Sequence, residues 1–313
     1  MKKIAVLGAT GAQGGGLIRA ILKDSEGFTA RAVVRDRNSE KALALAAKGV
    51  EVVEANFDDV ASLEKTFAGV YGAFCVTNFA ELMSAEKEVE QAANMAEAAK
   101  QAGVKHVIWS TLEDPLELVP LADDRIPSIM GNHKLPHAEG KANGNKEFIK
   151  RGVPTTFMIT SFFWDNFVRY GMGPAKGPDG TLTLTMPMGN AKLPGIAVED
   201  VGKCAFGIFK KGSQYIGKTV GIAGEHLTGQ EMADAYSKAL GQTVNYYAMP
   251  IDDFRNLGFP GVDIAANTYH FYQEFSDRYC DLRPVSEARL LNPELQSFDD
   301  WLEENKNLIN AQA

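Results

Sequence analysis

Three side chains near the middle of the chain have the types and spacing for acid–base chemistry on a carbonyl group. His137 and Lys141 are four residues apart, so on a helix they share one face. The imidazole could donate a proton, and the ammonium group could polarise the carbonyl or bridge ribose oxygens. Ser110, at the end of an earlier apolar run, could assist. Because a cationic lysine one turn away disfavours a protonated imidazole, proton donation by His137 is less certain than the binding role of Lys141. The alternative is a polar helix start and a surface lysine.

A glycine-rich loop, Gly8-Ala9-Thr10-Gly11-Ala12-Gln13-Gly14, follows the first apolar run of the chain and opens a helical pattern. In that context a loop brings backbone N–H groups close to a dinucleotide pyrophosphate. Gly8 would allow the turn, Gly11 the approach of the phosphates, and Gly14 the packing of helix on strand. A strand–helix turn without a ligand is the alternative. The predicted cofactor contacts here are Gly8, Thr10, Gly11, Ala12 and Gln13.

Arg35 lies 21 residues beyond Gly14, at the end of the second predicted strand. In dinucleotide-binding folds an acidic residue at about this position accepts the ribose of NAD, whereas an arginine pairs with the 2′-phosphate of NADP. The sequence therefore favours NADP(H), although a solvated arginine at a strand end is the alternative. Thr77 and Asn78 follow the fourth strand and are predicted to border the ribose and nicotinamide.

The spacing GxxGxxG is typical of the short-chain dehydrogenase/reductase superfamily. Enzymes of that superfamily use a tyrosine four residues before a lysine as the proton donor, and His137 stands in the tyrosine position here. Cofactor binding through Lys141 should survive this change, while proton donation is in doubt.

Aromatic residues cluster just after the sixth predicted strand. Phe163, Trp164 and Asn166 could wall the nicotinamide or a flat substrate, with the asparagine supplying a polar contact. Ordinary core packing of the aromatic rings is an equally weighted alternative.

Two further patterns are rejected. Residues 212–219 match the P-loop of nucleotide triphosphatases, but a helical pattern precedes them and a strand pattern follows, the reverse of a P-loop. His133 and His137 have helical spacing, but Pro136 lies between them and no cysteine or carboxylate cluster is near, so we predict no metal site.

Composition limits the kinds of partner. The 313 residues carry 32 Lys and Arg against 40 Asp and Glu, a net charge of −8, which disfavours general binding to nucleic acid or anionic membranes. No run is long and apolar enough to span a membrane. The three cysteines lie in apolar sequence without metal-type spacing, so we expect buried thiols and a cytoplasmic location.

The first half of the chain alternates β-branched runs with helical patterns, which indicates βαβ units around a parallel sheet. We predict an α/β fold, a Rossmann-type doubly wound parallel sheet, with a smaller α+β C-terminal domain. The NADP(H)-binding domain would span residues 1–155 and be re-entered near 196–211. Residues 156–313 would form the smaller, cleft-forming domain with a C-terminal extension. The predicted strands and helices are 4–7, 29–34, 50–54, 73–76, 106–109 and 155–159, and 13–23, 39–48, 60–67, 84–102 and 136–151.

Several of these segments together resemble the NmrA-like family of atypical short-chain dehydrogenases, over nearly the whole chain. The segments are GATGAQGG at 8–15, VTN at 76–78, the pair at 137 and 141, FWDN at 163–166, LGFPG at 257–261 and the C-terminal 291–306. The resemblance implies NADP(H) bound by the loop, Arg35, Thr77, Asn78, Lys141 and 163–166, and a histidine in place of the catalytic tyrosine. The segment 114–135 is longer than we expect at this position, which puts in doubt any protein partner carried over from the family.

Two functions follow as hypotheses. The first is a regulatory NADP(H)-binding redox sensor, which an intact cofactor framework with a degraded acid favours and the family resemblance implies. Its response would reach a protein partner, as the resemblance implies, or a homodimer interface. The second is an NADPH-dependent reductase acting on a quinone or carbonyl, which Lys141, Ser110 and the aromatic segment favour. A scaffold with a vestigial pocket is a third reading, and it predicts no cofactor binding.

Overall fold

The computed structural model describes residues 1–24, 27–177 and 179–310. Its strands are β1 (Lys2–Leu7), β2 (Phe28–Val34), β3 (Glu51–Glu54), β4 (Gly72–Cys75), β5 (His106–Thr111), β6 (Thr155–Ile159), β7 (Phe162–Phe163), β8 (Ala175–Lys176), β9 (Leu182–Met186), β10 (Leu193–Ile196), β11 (Thr219–Gly221), β12 (Glu225–Leu227) and β13 (Val244–Ala248). Its helices are α1 (Ala12–Lys23), α2 (Glu40–Ala47), α3 (Val60–Phe67), α4 (Phe79–Leu82), α5 (Ala85–Gln101), α6 (Pro136–Arg151), α7 (Asn166–Arg169), α8 (Val198–Lys211), α9 (Gly229–Leu240), α10 (Ile251–Arg255), α11 (Val262–Glu274), α12 (Ser276–Asp281), α13 (Val285–Leu291) and α14 (Phe298–Asn310).

The first of two compact units comprises Met1–Asp114, Pro136–Thr160 and Glu199–Val220. It is built on a sheet with the strand order β11-β6-β5-β4-β1-β2-β3. The neighbouring strands from β3 to β6 pair in parallel. The order reverses its direction between β1 and β4, and open α/β sheets bind ligands at the carboxyl ends of the strands at such a point. The Rossmann-type sheet is confirmed.

Alternate side chains of the sheet pack against helices on both faces, as the two-residue period of a strand requires. Ala5 and Cys75 belong to a buried cluster with residues of α3, α5 and α6. On the other face, the ring of Phe209 in α8 lies 5.4 Å from that of His106 and leaves no room for a side chain at Gly72. The sheet is therefore doubly wound.

Helices α1 and α8 cross at backbone contact. A Cβ atom on Gly202 would lie 2.2 Å from both the carbonyl carbon of Gly16 and the nitrogen of Leu17, so only glycine fits. The side chain of Arg19 reinforces the crossing by donating from Nε to Glu199 at 2.8 Å. The helix that begins at the glycine loop is thus held by a helix from much later in the chain.

The second compact unit comprises residues 115–135, 161–198 and 221–313. It contains two small sheets, ordered β12-β10-β7 and β13-β9-β8. Aromatic rings from α7, α9 and α14 pack together in its core, with Phe167 5.8 Å from Tyr236 and 6.0 Å from Phe298. Residues 115–135, which the predicted boundaries assign to the first domain, group with this unit. Asn267 of α11 holds them by donating to the carbonyls of Pro127 and Lys134.

Most predicted elements lie within a few residues of the observed ones, and α3 and α6 coincide with their predictions. Strand β4 ends at Cys75, before Val76, and β5 continues to Thr111, beyond the predicted end at Trp109. The prediction did not include α4. Residues 212–219 form the predicted helix exit and turn between α8 and β11.

Two of the three thiols have the expected burial. Cys75 and Cys204 are buried, and desolvation raises the pKa of each well above that of a free thiol. Cys280 is only partly buried, so the prediction of a buried thiol is wrong there. Within the described ranges, no helix combines the length and hydropathy needed to cross a membrane.

Candidate functional site

The glycine loop joins β1 to α1 in a conformation that depends on two glycines. Gly8 has φ +63°, in the left-handed region, and its carbonyl accepts from the nitrogen of Gly11 at 2.8 Å. A Cβ on Gly14 would lie 2.5 Å from the oxygen of Gly8, so any larger residue would push the helix off the loop. The loop is a turn that lets a ligand approach the backbone, as predicted from the spacing.

The start of α1 is suited to an anion. Gly11 is the N-cap, no side chain caps the helix, and its first turn carries no acidic residue. The N–H groups of the first turn and the positive end of the helix dipole therefore face a ligand without a competing carboxylate. Thr10 and Ala12 are partly exposed beside this helix start. A dinucleotide pyrophosphate fits this cradle.

Ser110 and Gln13, predicted separately, are hydrogen-bonded to each other. The hydroxyl of Ser110, at 1% exposure, donates to Oε1 of Gln13 at 2.7 Å. This bond ties the end of β5 to the first turn of α1. Ser110 therefore orients a loop residue in this structure, a role that the sequence did not predict.

Arg35 directly follows β2, and its guanidinium is largely exposed at this edge of the sheet. It forms a bidentate ion pair with Glu81, a residue of α4 that the sequence analysis did not single out. The same planar geometry would suit a phosphate, because a guanidinium pairs with either group through two parallel hydrogen bonds. A 2′-phosphate that took the same two N–H groups of Arg35 would therefore displace Glu81.

Thr77 and Lys141 also meet, and a third residue joins them. Nζ of Lys141 donates to the backbone oxygen of Thr77 at 3.1 Å and to its hydroxyl at 3.0 Å. It also lies 3.1 Å from Oε1 of Glu88, which accepts from the Thr77 hydroxyl at 2.5 Å. Glu88 is fully buried. Sequence reasoning missed it, although its position four residues before Ala92 and seven before Met95 places it on the buried face of α5.

His137 lies at the start of α6, one turn before Lys141. Desolvation, with a smaller contribution from the Lys141 charge, lowers the pKa of His137 to about 4. Its ring is 5.9 Å from that of Phe79, and its buried Nδ1 has no hydrogen-bond partner among the described residues. The imidazole is therefore neutral near pH 7 and has no imidazolium proton to donate, in line with the doubt about proton donation raised from the sequence.

Asn78 is exposed at the N-cap of α4, directly after Thr77. It therefore lies at the carboxyl end of β4, next to the point where the sheet order reverses. The structure brings the glycine loop, Arg35, Thr77, Asn78 and the 137–141 pair to the strand ends of one sheet.

Phe163, Trp164 and Asn166 belong to the second unit. The Trp164 side chain is 1% exposed and packs 5.2 Å from Phe298, over Gly195, where a Cβ would overlap the indole. These contacts give Trp164 a packing role in the core of that unit, the alternative weighed from the sequence. Phe163 lies in β7 beside Ile196, and Asn166 begins α7.

In the part of the chain that the structure describes, no three His, Cys, Asp or Glu side chains are grouped as a metal site would require.

Comparison with known proteins gives the same fold and a family. The model of the NmrA-like family matches residues 1–302. The NmrA-like oxidoreductase CpsB of Aspergillus campestris is 27% identical over 302 residues, covering 90% of this chain and 86% of its own. NmrA, a negative transcriptional regulator solved in complex with NADP, is 25% identical with a TM-score of 0.77, covering 97% of this chain and 94% of its own.

NmrA has also been solved in complex with NAD, so nicotinamide dinucleotides, the predicted class of cofactor, are ligands of that structural neighbour. A Citrobacter triphenylmethane reductase, 24% identical with a TM-score of 0.77 over 96% of this chain and 98% of its own, shares the fold. Because the family model spans both compact units, the chain belongs to the NmrA-like family.

Proposed function

We propose that this chain is a regulatory protein that binds NADP(H) and responds to its redox state. The observation that carries the proposal is the contrast at one site between an intact phosphate cradle and a disabled acid. The loop at Gly8 and Gly14 retains the geometry for a pyrophosphate, while the pKa of His137, at the acid position, is lowered to about 4. A chain that binds the cofactor and lacks a competent acid is better suited to sensing than to carbonyl reduction.

Each half of the dinucleotide has residues to hold it. The amides at the start of α1 would bind the pyrophosphate, and Arg35 would pair with the 2′-phosphate. Thr77, Asn78 and Lys141 lie on the half of the sheet that binds the second mononucleotide in such folds. When bound, the cofactor supplies a hydride donor or acceptor. The chain's own residues bind and orient it.

The pair of Arg35 with Glu81 offers a physical route from binding to a response. A 2′-phosphate would compete with Glu81 for the guanidinium, and Glu81 is one of four residues of α4. A ligand shifts a conformational equilibrium by the difference between its affinities for the two states. Release of Glu81 would therefore alter the α4 surface and change its affinity for a protein partner or for a second copy of the chain.

Titration calorimetry and light scattering test the proposal. NADPH and NADP⁺ should bind at least about tenfold more tightly than NADH and NAD⁺, since a charge-assisted pair with Arg35 is worth about 1.5–3 kcal/mol. The two redox forms should differ in affinity or in the oligomeric state that they stabilise. Equal affinity and an unchanged oligomeric state with NADPH, NADP⁺ and no cofactor would contradict the sensing role.

An NADPH-dependent reductase of a quinone or carbonyl is the second candidate, favoured by the oxidoreductase names of relatives such as CpsB. A quinone can take its protons from water, so hydride transfer would not need His137 as an acid, and Lys141 could polarise the acceptor oxygen. The test is NADPH consumption over a panel of quinones and carbonyls, lost in Lys141→Ala without loss of fold. Absence of turnover over a broad panel would remove this candidate.

A further inference from the structure

Glu88 is a buried carboxylate at the carboxyl end of β4 and has no place in the sequence patterns that led to the site. It is 0% exposed, and its Oε1 contacts both the Thr77 hydroxyl and the Lys141 ammonium. Its Oε2 is also buried and has no hydrogen-bond partner among the described residues. A carboxylate in this state is costly, because it has lost its hydration without a full set of replacing bonds.

Packing of the helices does not explain that cost. Helices α5 and α6 meet through small residues, since a Cβ on Gly140 would contact the backbone of Ala85 and one on Gly144 would contact Ala92. An apolar side chain at position 88 could fill the same space, and replacing a buried ion pair with packed apolar residues is often neutral or stabilising. The presence of a carboxylate at position 88 therefore needs an explanation other than helix packing.

We explain the buried carboxylate by the net charge that Glu88 and Lys141 together present to a bound ligand. Lys141 keeps 13% of its side chain exposed beside the strand ends, whereas the Glu88 side chain is fully buried. Together the two groups carry no net charge. His137, with its pKa lowered to about 4, adds none near neutral pH. The oxidised nicotinamide ring carries a positive charge and the reduced ring does not. A net charge at this place would therefore change the affinity for the oxidised cofactor more than that for the reduced one.

We propose that Glu88 sets the relative affinity for NADP⁺ and NADPH by neutralising Lys141 on the nicotinamide half of the site. The inference rests on the proposed NADP(H) binding and adds to it the residue that controls redox discrimination. With the carboxylate in place, Lys141 donates its three N–H groups to Thr77 and Glu88 and does not repel the oxidised ring. Without it, an uncompensated ammonium at low dielectric disfavours NADP⁺ and leaves NADPH largely unaffected.

The test is the ratio of dissociation constants, Kd for NADP⁺ over Kd for NADPH, measured by titration calorimetry. In Glu88→Gln, which keeps the shape and removes the charge, the ratio should rise about tenfold, equivalent to about 1.4 kcal/mol. In the double variant Glu88→Gln with Lys141→Met, the ratio should return to within about twofold of the wild-type value, although both affinities fall. Glu97→Gln is the matched control, since it removes another charge of α5 that pairs with α6, through Arg151 at 3.0 Å, and it should leave the ratio unchanged.

Other outcomes have distinct meanings. If Glu88→Gln weakens both cofactors equally, or leaves the ratio as it was, Glu88 only supports the structure and the inference is overturned. If the wild-type chain binds neither cofactor, the proposed function itself fails. Thermal unfolding without cofactor checks that each variant is folded. Should Glu88→Gln not fold, Glu88→Ala removes the unpartnered oxygen together with the charge and must give the same rise in the ratio.

Discussion

The guanidinium of Arg35 and the carboxylate of Glu81 are joined by two parallel contacts, 2.7 Å from Nη1 to Oε2 and 3.1 Å from Nη2 to Oε1. The two residues are 46 positions apart, one directly after β2 and the other in the four-residue helix α4. Their side chains are 73% and 49% exposed, so solvent screens the pair and its contribution to stability is small. The pair matters because Glu81 competes with a phosphate for the same guanidinium.

Replacing Glu81 with glutamine should strengthen NADPH binding. The change removes the competitor for Arg35, and an exposed ion pair is weak, so the dissociation constant should fall about two- to fivefold. NADH, which lacks the 2′-phosphate, should show no change. Calorimetric titration of both cofactors measures the effect, and weaker NADPH binding in the variant would refute competition by Glu81.

Replacing Arg35 with methionine should have the opposite effect on the same ligand. Loss of a two-point charged contact should weaken NADPH binding about 10- to 100-fold and change NADH binding less than about twofold. Lys48→Met, a similar loss of charge at the end of α2, is the control. A parallel loss for NADH would mean that Arg35 supports the fold and does not read the phosphate.

Replacing Gly14 with alanine should destabilise the chain and abolish cofactor binding. The new Cβ would lie 2.5 Å from the backbone oxygen of Gly8, and forced overpacking of this kind costs about 1–3 kcal/mol. Gly15→Ala is a matched control, because its Cβ would meet the end of the flexible Arg19 side chain at 3.2 Å. Denaturant unfolding of both variants should separate them, and equal stability would show that the loop yields easily.

Stability should depend on pH through His137. Its folded pKa of about 4 lies below the usual value of about 6.5, so the unfolded chain takes up the proton first. The stability that this residue contributes is therefore complete above about pH 6.5 and is lost as the pH falls towards 4. His106, whose pKa burial also lowers to about 4, acts in the same direction.

The check is the free energy of unfolding of His137→Asn across that range, compared with wild type. The variant should lose less stability between about pH 6.5 and pH 4, because one of the groups that bind protons on unfolding is gone. Identical pH dependence in the two proteins would show that His137 is accessible to protons in the folded state.

The sheet and the glycine loop were predictable because their signals are local. Strand periodicity, the positions of Gly8 and Gly14 and the helix formers of α5 each act over a few residues, and the structure has them within a few positions. The partners of the predicted residues were not predictable. Glu81 reaches Arg35 and Glu88 reaches Lys141 over 46 and 53 positions. Helical spacing can place Glu88 on the buried face of α5, but no local pattern identifies the basic residue that either glutamate meets.

Burial accounts for the differences at Trp164 and Ser110. An aromatic residue after a strand has the same local sequence pattern whether it faces a ligand or the interior. The interior position of Trp164 depends on the distant Gly195 and Gly224, which leave space for its indole. Ser110 was expected to assist an acid, but the short distance to Gln13 depends on how β5 and α1 meet.

The backbone contact between Gly16 and Gly202 has a consequence for folding during synthesis on the ribosome. Helix α1, which starts at the phosphate cradle, emerges early, but the helix that covers it is made only after the chain has passed through a long stretch of the second unit. Until then the part of the sheet that Phe209 of α8 covers, at Gly72 and His106, has no cover. The nucleotide-binding unit therefore cannot finish folding from the amino-terminal half alone, and synthesis must run past Val220, the last residue of the unit, before its sheet is complete.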